Sequence, residues 1–165
     1  MIIMGIDPGT ARIGWALIEV SGSTIRPLSY GCITTPVGKS PEARLLTIHE
    51  EITKHFVTGQ PSHLALEDLF FGTNAKTVIP VAQARGVVLL AAAQQNIPVF
   101  SYAPRAVKSA IAGYGMADKS QVIDMVMRIL HLDTPPKPDD TADAIAIALT
   151  HAYSYKLRNI KSSNF

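Results

Sequence analysis

Four acidic residues stand at the ends and starts of predicted elements in this sequence. Asp7 ends an apolar run and is followed at once by a turn-forming Pro-Gly pair, and Glu67 ends a second apolar run. Asp140 and Asp143 lie at the start of an alanine-rich segment. Because an ionised carboxylate is costly to bury without a partner, each of these residues is either a turn or capping residue or a ligand.

These four acids are more informative together than singly. Asp7 alone fits a turn, and Asp140, with the adjacent Asp139, fits a helix N-terminus that favours negative charge. Residues at i and i+3 share a helix face, so Asp140 and Asp143 are expected to point the same way. If the first and fourth strands are parallel neighbours, Asp7 and Glu67 lie side by side. The combination predicts one acidic pocket.

A divalent cation would relieve the repulsion within such a pocket. Carboxylates that lie close together raise the pKa of at least one of them, and oxygen-only ligands suit Mg²⁺ or Mn²⁺. Three or four carboxylates can hold two ions about 3.5–4 Å apart, an arrangement that hydrolyses phosphodiesters. Neutralising these four acids would add four to the formal net charge of +2. The resulting surface suits a phosphate polyanion.

The predicted elements alternate between strands and helices after an initial meander. The hydrophobic periodicity predicts strands over residues 1–7, 12–20, 24–35, 63–68 and 97–102, and helices over 41–59, 79–95, 104–112, 119–131 and 140–156. This order predicts an α/β fold with a mixed five-stranded sheet flanked by helices. Pro27 predicts that the third strand starts late or lies at an edge. Pro80 predicts that the second helix starts at about Ile79.

Bulk properties predict one domain over residues 1–157 and a polar tail over 158–165. The chain has 165 residues and no Gly/Ser linker, and its longest apolar run, residues 86–93, is too short to span a membrane. No basic segment precedes an apolar stretch at the start. Cys32 is the one cysteine, which excludes an internal disulfide and a multi-cysteine zinc site. We expect a cytoplasmic protein without a membrane partner.

Longer motifs spread over nearly the whole chain resemble a known family. These are GIDPGTARIGWALIE, LALEDLFFGTNAKT, QARGVVLLAA, PVFSYAPRAVKSAIAGYGMADKSQV and DDTADAIAIALTHA, in this order. They are similar to the RuvC family of Holliday-junction resolvases, which have the RNase H-like fold. The resemblance implies that Asp7, Glu67, Asp140 and Asp143 are the catalytic, metal-binding tetrad, with two Mg²⁺ ions for which Mn²⁺ can substitute.

The resemblance also implies partners and DNA contacts. It implies a homodimer, formed through the helix at 79–95, that nicks two strands of a four-way junction symmetrically and leaves 5′-phosphate and 3′-hydroxyl ends. The family works with a branch-migration complex of a junction-binding tetramer and a helicase motor. Lys108 and Lys119 match family lysines that contact DNA phosphates, and Phe70 resembles an aromatic that stacks on a base, a contact worth about 1–3 kcal/mol. Lys76 and Arg105 are further candidate DNA contacts.

Three alternative functions fit parts of this pattern. An actin-like or sugar-kinase-like ATPase also begins with a strand, an Asp and a Gly-containing turn, but 165 residues leave no room for its second half. Another RNase H-like nuclease, acting on RNA or on a different branched DNA, fits the acids equally well. A noncatalytic junction-binding module would not need the full acidic set.

Overall fold

The computed structural model describes residues 1–69 and 75–162, with the side chains of 75–77 and 157–162 outside the description. The strands are β1 (Ile2–Asp7), β2 (Arg12–Ser21), β3 (Thr24–Thr34), β4 (His63–Glu67) and β5 (Val99–Tyr102). The helices are α1 (Pro41–Gly59), α2 (Ala75–Gln94), α3 (Pro104–Ala112), α4 (Lys119–Leu130) and α5 (Asp139–Ser162). The predicted order of elements is confirmed.

A single mixed sheet runs through the described part of the chain in the order β3-β2-β1-β4-β5. The β1–β2 and β2–β3 pairs are antiparallel, whereas β1–β4 and β4–β5 are parallel. In the β1–β4 pair, Ile6 lies opposite Leu66, so the residues that follow them emerge at the same edge. This register confirms the predicted five-stranded sheet and brings the carboxyl ends of β1 and β4 together.

Alternation along the strands divides the core into two layers. Ile3 and Ala65 pack with α3, α4 and α5 on one face, whereas Met4 and Leu64 pack with α1 and α2 on the other. Side chains two residues apart on a strand share a face. Asp7 and Glu67 therefore project toward the side of the sheet that α5 covers.

Helix α5 rests on the sheet almost backbone to backbone. A Cβ built on Gly5 would lie 2.8 Å from the Cβ of Ala148. A Cβ built on Gly14 would overlap the carbonyl oxygen of Asp140 and lie 3.1 Å from the amide nitrogen of Thr141. Only glycine permits this approach. The first turn of α5 is thus held directly against β2.

Pro27 predicted that the third strand starts late or lies at an edge, and the structure shows the edge position. Strand β3 lies at the edge of the sheet, as predicted, but it pairs with β2 from Thr24 onward, so the late start was wrong. The register between the two strands shifts at Leu17/Ile18, beside the partner of Pro27. An irregularity of this kind accommodates a residue that cannot donate to the ladder.

Two helix boundaries also differ from their predictions. Helix α2 begins at Ala75, so the predicted start at about Ile79 was wrong. Pro80 lies near the N-terminus, where it removes a single i→i−4 hydrogen bond and leaves the helix intact. Helix α5 continues to Ser162, so residues 158–162 of the predicted tail are helical. Among the described residues, no helix combines the length and apolarity needed to cross a membrane.

Candidate active site

The four acids predicted to act together approach one another at one end of the molecule. Asp7 ends β1, Glu67 ends β4, and Asp140 and Asp143 lie in the first turns of α5. Asp7 is repelled by each of the other three, and Glu67 is repelled by Asp143. Carboxylates from distant parts of the chain therefore share one electrostatic environment.

Burial and repulsion raise the pKa of three of these carboxylates, those of Asp7, Glu67 and Asp143. Burial raises the pKa of Asp7 to about 7, and the charges of Glu67, Asp143 and Asp140 add to the effect. The pKa of Glu67 also rises to about 7, first because of burial and then because of Asp143 and Asp68. Burial raises the pKa of Asp143 as well, against the opposing effect of a lysine. At neutral pH the site therefore carries more negative charge than its surroundings stabilise.

Two basic side chains partly compensate this charge. Lys119 Nζ lies 2.9 Å from Asp143 Oδ2 and 3.5 Å from Asp139 Oδ2. Arg12 Nη1 lies 3.9 Å from Asp140 Oδ2. Burial alone would lower the pKa of Lys119, but its bonds to the two carboxylates outweigh burial and raise it. Lys119 is therefore held as an ammonium cation within the acidic site.

The start of α4 explains why Lys119 is so well placed. Asp118 accepts a hydrogen bond from the backbone N–H of Gln121 at 2.9 Å, and the Gln121 side chain accepts one from the N–H of Asp118 at 3.0 Å. This reciprocal capping box, predicted by the spacing of the two residues, begins the helix at Lys119. The first side chain of α4 then reaches across to α5.

A cleft connects the acids with the basic residues of α3 and α4. Its volume is about 190 Å³, and its polar lining residues are Glu67, Lys108, Lys119 and Asp143. Lys108 acts on Glu67 by lowering its pKa, a minor effect against the burial that raises it. Arg105 lies on the exposed side of the same helix α3. The structure thus places Lys108 and Lys119 at the acids and Arg105 further out.

Donor chemistry at this site fits hard divalent cations, although the ligands are not in a closed arrangement. Within residues 1–69 and 75–162, no three His, Cys, Asp or Glu side chains form a ready-made metal-binding group. Asp143 and Asp140 are turned toward Lys119 and Arg12 instead. Buried carboxylates with raised pKa values are nevertheless the donors that Mg²⁺ and Mn²⁺ prefer.

Two of the predicted DNA contacts cannot be placed in the structure. Phe70 lies outside the described residues. Lys76 belongs to the first turn of α2, but its side chain lies outside the description. Both remain predictions from the sequence.

Two arginines near the site were not among the residues predicted from the sequence. Arg12 pairs with Asp140, and Arg85 of α2 bonds to the segment that ends β4. Arg85 is detectable in retrospect, because its neighbours in α2 are almost all uncharged. A lone arginine in an apolar helix needs a polar partner. The sequence alone does not identify that partner.

A further polar cluster joins residues that are distant in sequence. His63 Nδ1 lies 2.9 Å from His151 Nε2, and the Tyr102 hydroxyl lies 2.7 Å from His151 Nδ1. His151 is 1% exposed, so its ring nitrogens are satisfied inside the protein. The three residues link β4, β5 and α5, which ties α5 to the sheet at His151.

Comparison with known proteins agrees with this geometry. The family model described as Crossover junction endodeoxyribonuclease RuvC matches residues 3–151. The protein of that name from Desulfitobacterium hafniense (strain Y51) is 53% identical over 159 residues, covering 96% of each chain. The one from Chloroflexus aggregans is 50% identical over 154 residues, covering 93% of this chain and 94% of that protein.

Solved structures give the same result. The Thermus thermophilus RuvC structure superposes with a TM-score of 0.88 at 36% identity, covering 95% of this chain and 96% of that one. T. thermophilus RuvC in complex with a Holliday junction substrate gives a TM-score of 0.90 at the same identity and coverage. The yeast mitochondrial Holliday junction resolvase, at 14% identity and a TM-score of 0.68, shares the fold. With the strand order, the acidic site and matches over nearly its full length, this chain belongs to the crossover junction endodeoxyribonuclease RuvC family.

Proposed function

We propose that this protein resolves four-way (Holliday) DNA junctions by paired, symmetric nicks. The observation that carries the proposal is that Asp7, from the end of β1, is repelled by Glu67 at the end of β4 and by Asp140 and Asp143 of α5, three elements far apart in sequence. The substrate is inferred from two findings: this chain belongs to the family, and it is similar to a relative solved in complex with a Holliday junction substrate. The products are 5′-phosphate and 3′-hydroxyl ends, and the pathway is recombination and repair in the cytoplasm.

The four acids are proposed to hold two Mg²⁺ ions, for which Mn²⁺ substitutes. When bound, such ions activate a water and stabilise the leaving oxygen of a phosphodiester. Asp7 and Glu67 supply oxygens from the strand ends, and Asp140 and Asp143 supply them from α5. The raised pKa values of Asp7 and Glu67 support this role, since buried carboxylates without enough positive charge around them gain most from a bound cation.

Lys108 and Lys119 are proposed to contact the DNA at the scissile phosphate. Lys119 pairs with Asp143 in the structure at 2.9 Å. With a cation held by that carboxylate, the Lys119 ammonium group would be available to the phosphate, where a positive charge would stabilise the transition state. Lys108 lines the same cleft. Arg105, Lys76 and Phe70 are proposed to contact the DNA further from the cleavage point, with Phe70 stacking on a base.

A homodimer through α2 is proposed because a two-fold junction needs two equivalent active sites. Exposed residues recur along α2 at helical spacing, with Ile79 66% exposed and Leu90 54% exposed. Gly86 lies between them, and a Cβ built there would meet no atom within 4 Å. This narrow stripe suits close contact with a second helix. The branch-migration complex is proposed as a further partner by family resemblance alone.

A strand-by-strand cleavage assay tests the proposal. A mobile four-way junction is labelled on each strand in turn and incubated with and without Mg²⁺, beside a linear duplex of the same sequence. We expect metal-dependent nicks at symmetric positions in two strands, sealed by ligase without further treatment. Asp7→Asn should keep junction binding and lose nicking. Equal cleavage of junction and duplex would refute structure selectivity, and full activity of Asp7→Asn would refute the metal site.

A further inference from the structure

Arg85 hydrogen-bonds to two consecutive residues where β4 ends, the backbone of Glu67 and the side chain of Asp68. Its Nε donates to the Glu67 carbonyl oxygen at 3.2 Å, and its Nη2 contacts the Asp68 Oδ1 at 3.2 Å. The same Nη2 donates to the Ser101 hydroxyl at 2.8 Å. One guanidinium from α2 therefore contacts the carboxyl ends of both β4 and β5. A guanidinium can do this because its donors form a rigid, planar fork.

The guanidinium is itself held firmly. The Arg85 side chain is 18% exposed, and Ala84 and Val88, on either side of it in α2, are fully buried in the core. A buried arginine with fixed neighbours loses little further freedom when it makes its hydrogen bonds. Arg85 therefore transmits the position of α2 to the strand ends.

Arg85 contacts Glu67 at the point where the β1–β4 ladder ends. The β1–β4 ladder ends at the pair Ile6↔Leu66, whereas the β4–β5 ladder continues to Glu67↔Tyr102. Strand β4 ends at Glu67, and the N–H of Asp68 still donates to the Tyr102 carbonyl oxygen at 2.9 Å. Past the last β1–β4 pair, Arg85 Nε supplies a hydrogen-bond donor to the Glu67 carbonyl oxygen.

Arg85 also distinguishes two consecutive acids. Alternation along the strand sends Glu67 and Asp68 to opposite faces. The Asp68 carboxylate forms an ion pair with Arg85, whereas Glu67 projects into the cleft with Asp143. The ion pair keeps Asp68 on the α2 side of the sheet. Glu67 is then the carboxylate of this segment that faces the candidate metal site.

From this geometry we infer that Arg85 is a positioning residue that holds Glu67 in place for metal binding. The inference rests on the proposed function, because it takes Glu67 as a metal ligand. Groups that orient a metal ligand from outside the coordination sphere typically contribute about 10–100-fold to metal affinity or activity. Arg85→Lys keeps the charge but cannot reach all three acceptors with one planar group.

Metal binding without DNA tests this inference in the full-length chain. Mn²⁺ binding is followed by the electron paramagnetic resonance signal of the free ion, for wild type, Arg85→Lys and Glu67→Gln. The matched control is Arg26→Lys. Arg26 lies on the edge strand β3 and forms an ion pair with Glu19. We expect Arg85→Lys to weaken Mn²⁺ binding by about 10–100-fold. Arg26→Lys should bind Mn²⁺ as wild type does.

Cleavage kinetics separate positioning from general destabilisation. Arg85→Lys should raise the Mg²⁺ concentration for half-maximal junction cleavage by a similar factor, while saturating Mg²⁺ restores the rate and junction affinity is unchanged. If Arg85→Lys binds Mn²⁺ as tightly as wild type while Glu67→Gln does not, the inference is wrong and the proposed function stands. If Glu67→Gln binds and cleaves normally, the proposed metal site fails instead. Should Arg85→Lys not fold, Ser101→Ala decides, because unchanged Mn²⁺ affinity on loss of that anchor overturns the inference.

Discussion

Replacing Gly14 with alanine should inactivate the enzyme without unfolding it. The new Cβ would overlap the Asp140 carbonyl oxygen and lie 3.1 Å from the Thr141 amide nitrogen. Carbon–oxygen contacts ordinarily need about 3.3–3.6 Å, so the first turn of α5 must retreat by roughly 1.5 Å. A displacement of about 1 Å at reacting groups can cost about 100-fold in rate, because catalytic geometry tolerates only about 0.5 Å. We therefore expect a loss of about 100-fold in single-turnover junction cleavage at saturating Mg²⁺.

The stability cost of this substitution should be moderate. Overpacking a well-packed interior typically costs about 1–3 kcal/mol, which urea denaturation would measure. The matched control is Gly22→Ala, at the turn between β2 and β3, where φ is +57° and a Cβ meets no atom within 4 Å. That change strains the backbone but leaves α5 in place, so stability should fall while the cleavage rate is kept. Wild-type cleavage by folded Gly14→Ala would refute the reasoning that the backbone contact positions Asp140.

Three further predictions concern charge and assembly. Burial raises the pKa of both Asp7 and Glu67 to about 7, so the metal-free folded protein binds more protons than the unfolded chain between about pH 4 and 7. Its stability, and its melting temperature in chelator, should therefore fall as pH rises through this window. Asp7→Asn should melt at a higher temperature than wild type at pH 8, and a lower melting temperature would contradict the argument. Lys119→Met should tighten Mn²⁺ binding by the free protein, because it removes the cation that competes for Asp143, yet lower junction cleavage by about 100-fold; weaker Mn²⁺ binding in calorimetry would contradict this. Leu90→Asp should convert the proposed dimer to monomer in sedimentation and abolish paired nicking, and a dimer of unchanged affinity would exclude α2 as the interface.

Convergence of the acids was predictable because it follows from local rules. Strand alternation, the i, i+3 spacing of Asp140 and Asp143 and the carboxyl ends of parallel strands all limit where these side chains can lie. Placing Asp7 beside Glu67 assumed that β1 and β4 are neighbours, which the sheet order confirms, whereas joining Asp140 and Asp143 to them rested on the family resemblance. The capping box at Asp118 was predictable for the same reason, since both partners lie within one helical turn.

The contacts that tune the site were not predictable in this way. Lys119 reaches Asp143 across two helices, and Arg85 reaches Glu67 from the opposite face of the sheet, so both depend on the distance between packed elements. The start of α2 was misjudged because proline was taken as the helix boundary, whereas α2 continues through Pro80 despite the lost i→i−4 hydrogen bond and the crowding of the carbonyl four residues earlier. Sequence patterns describe which face a residue occupies but not which partner meets it there.

The outer strands of the sheet also determine how copies of this protein can meet. An exposed strand edge invites pairing with another chain, and such pairing leads to open-ended aggregates. Strand β5 offers only four residues for this, and β3 carries Pro27 beside an irregular register. Both edges are therefore poor templates for a sixth strand. The proposed homodimer through α2 would in this way form without the risk of polymerising through the sheet.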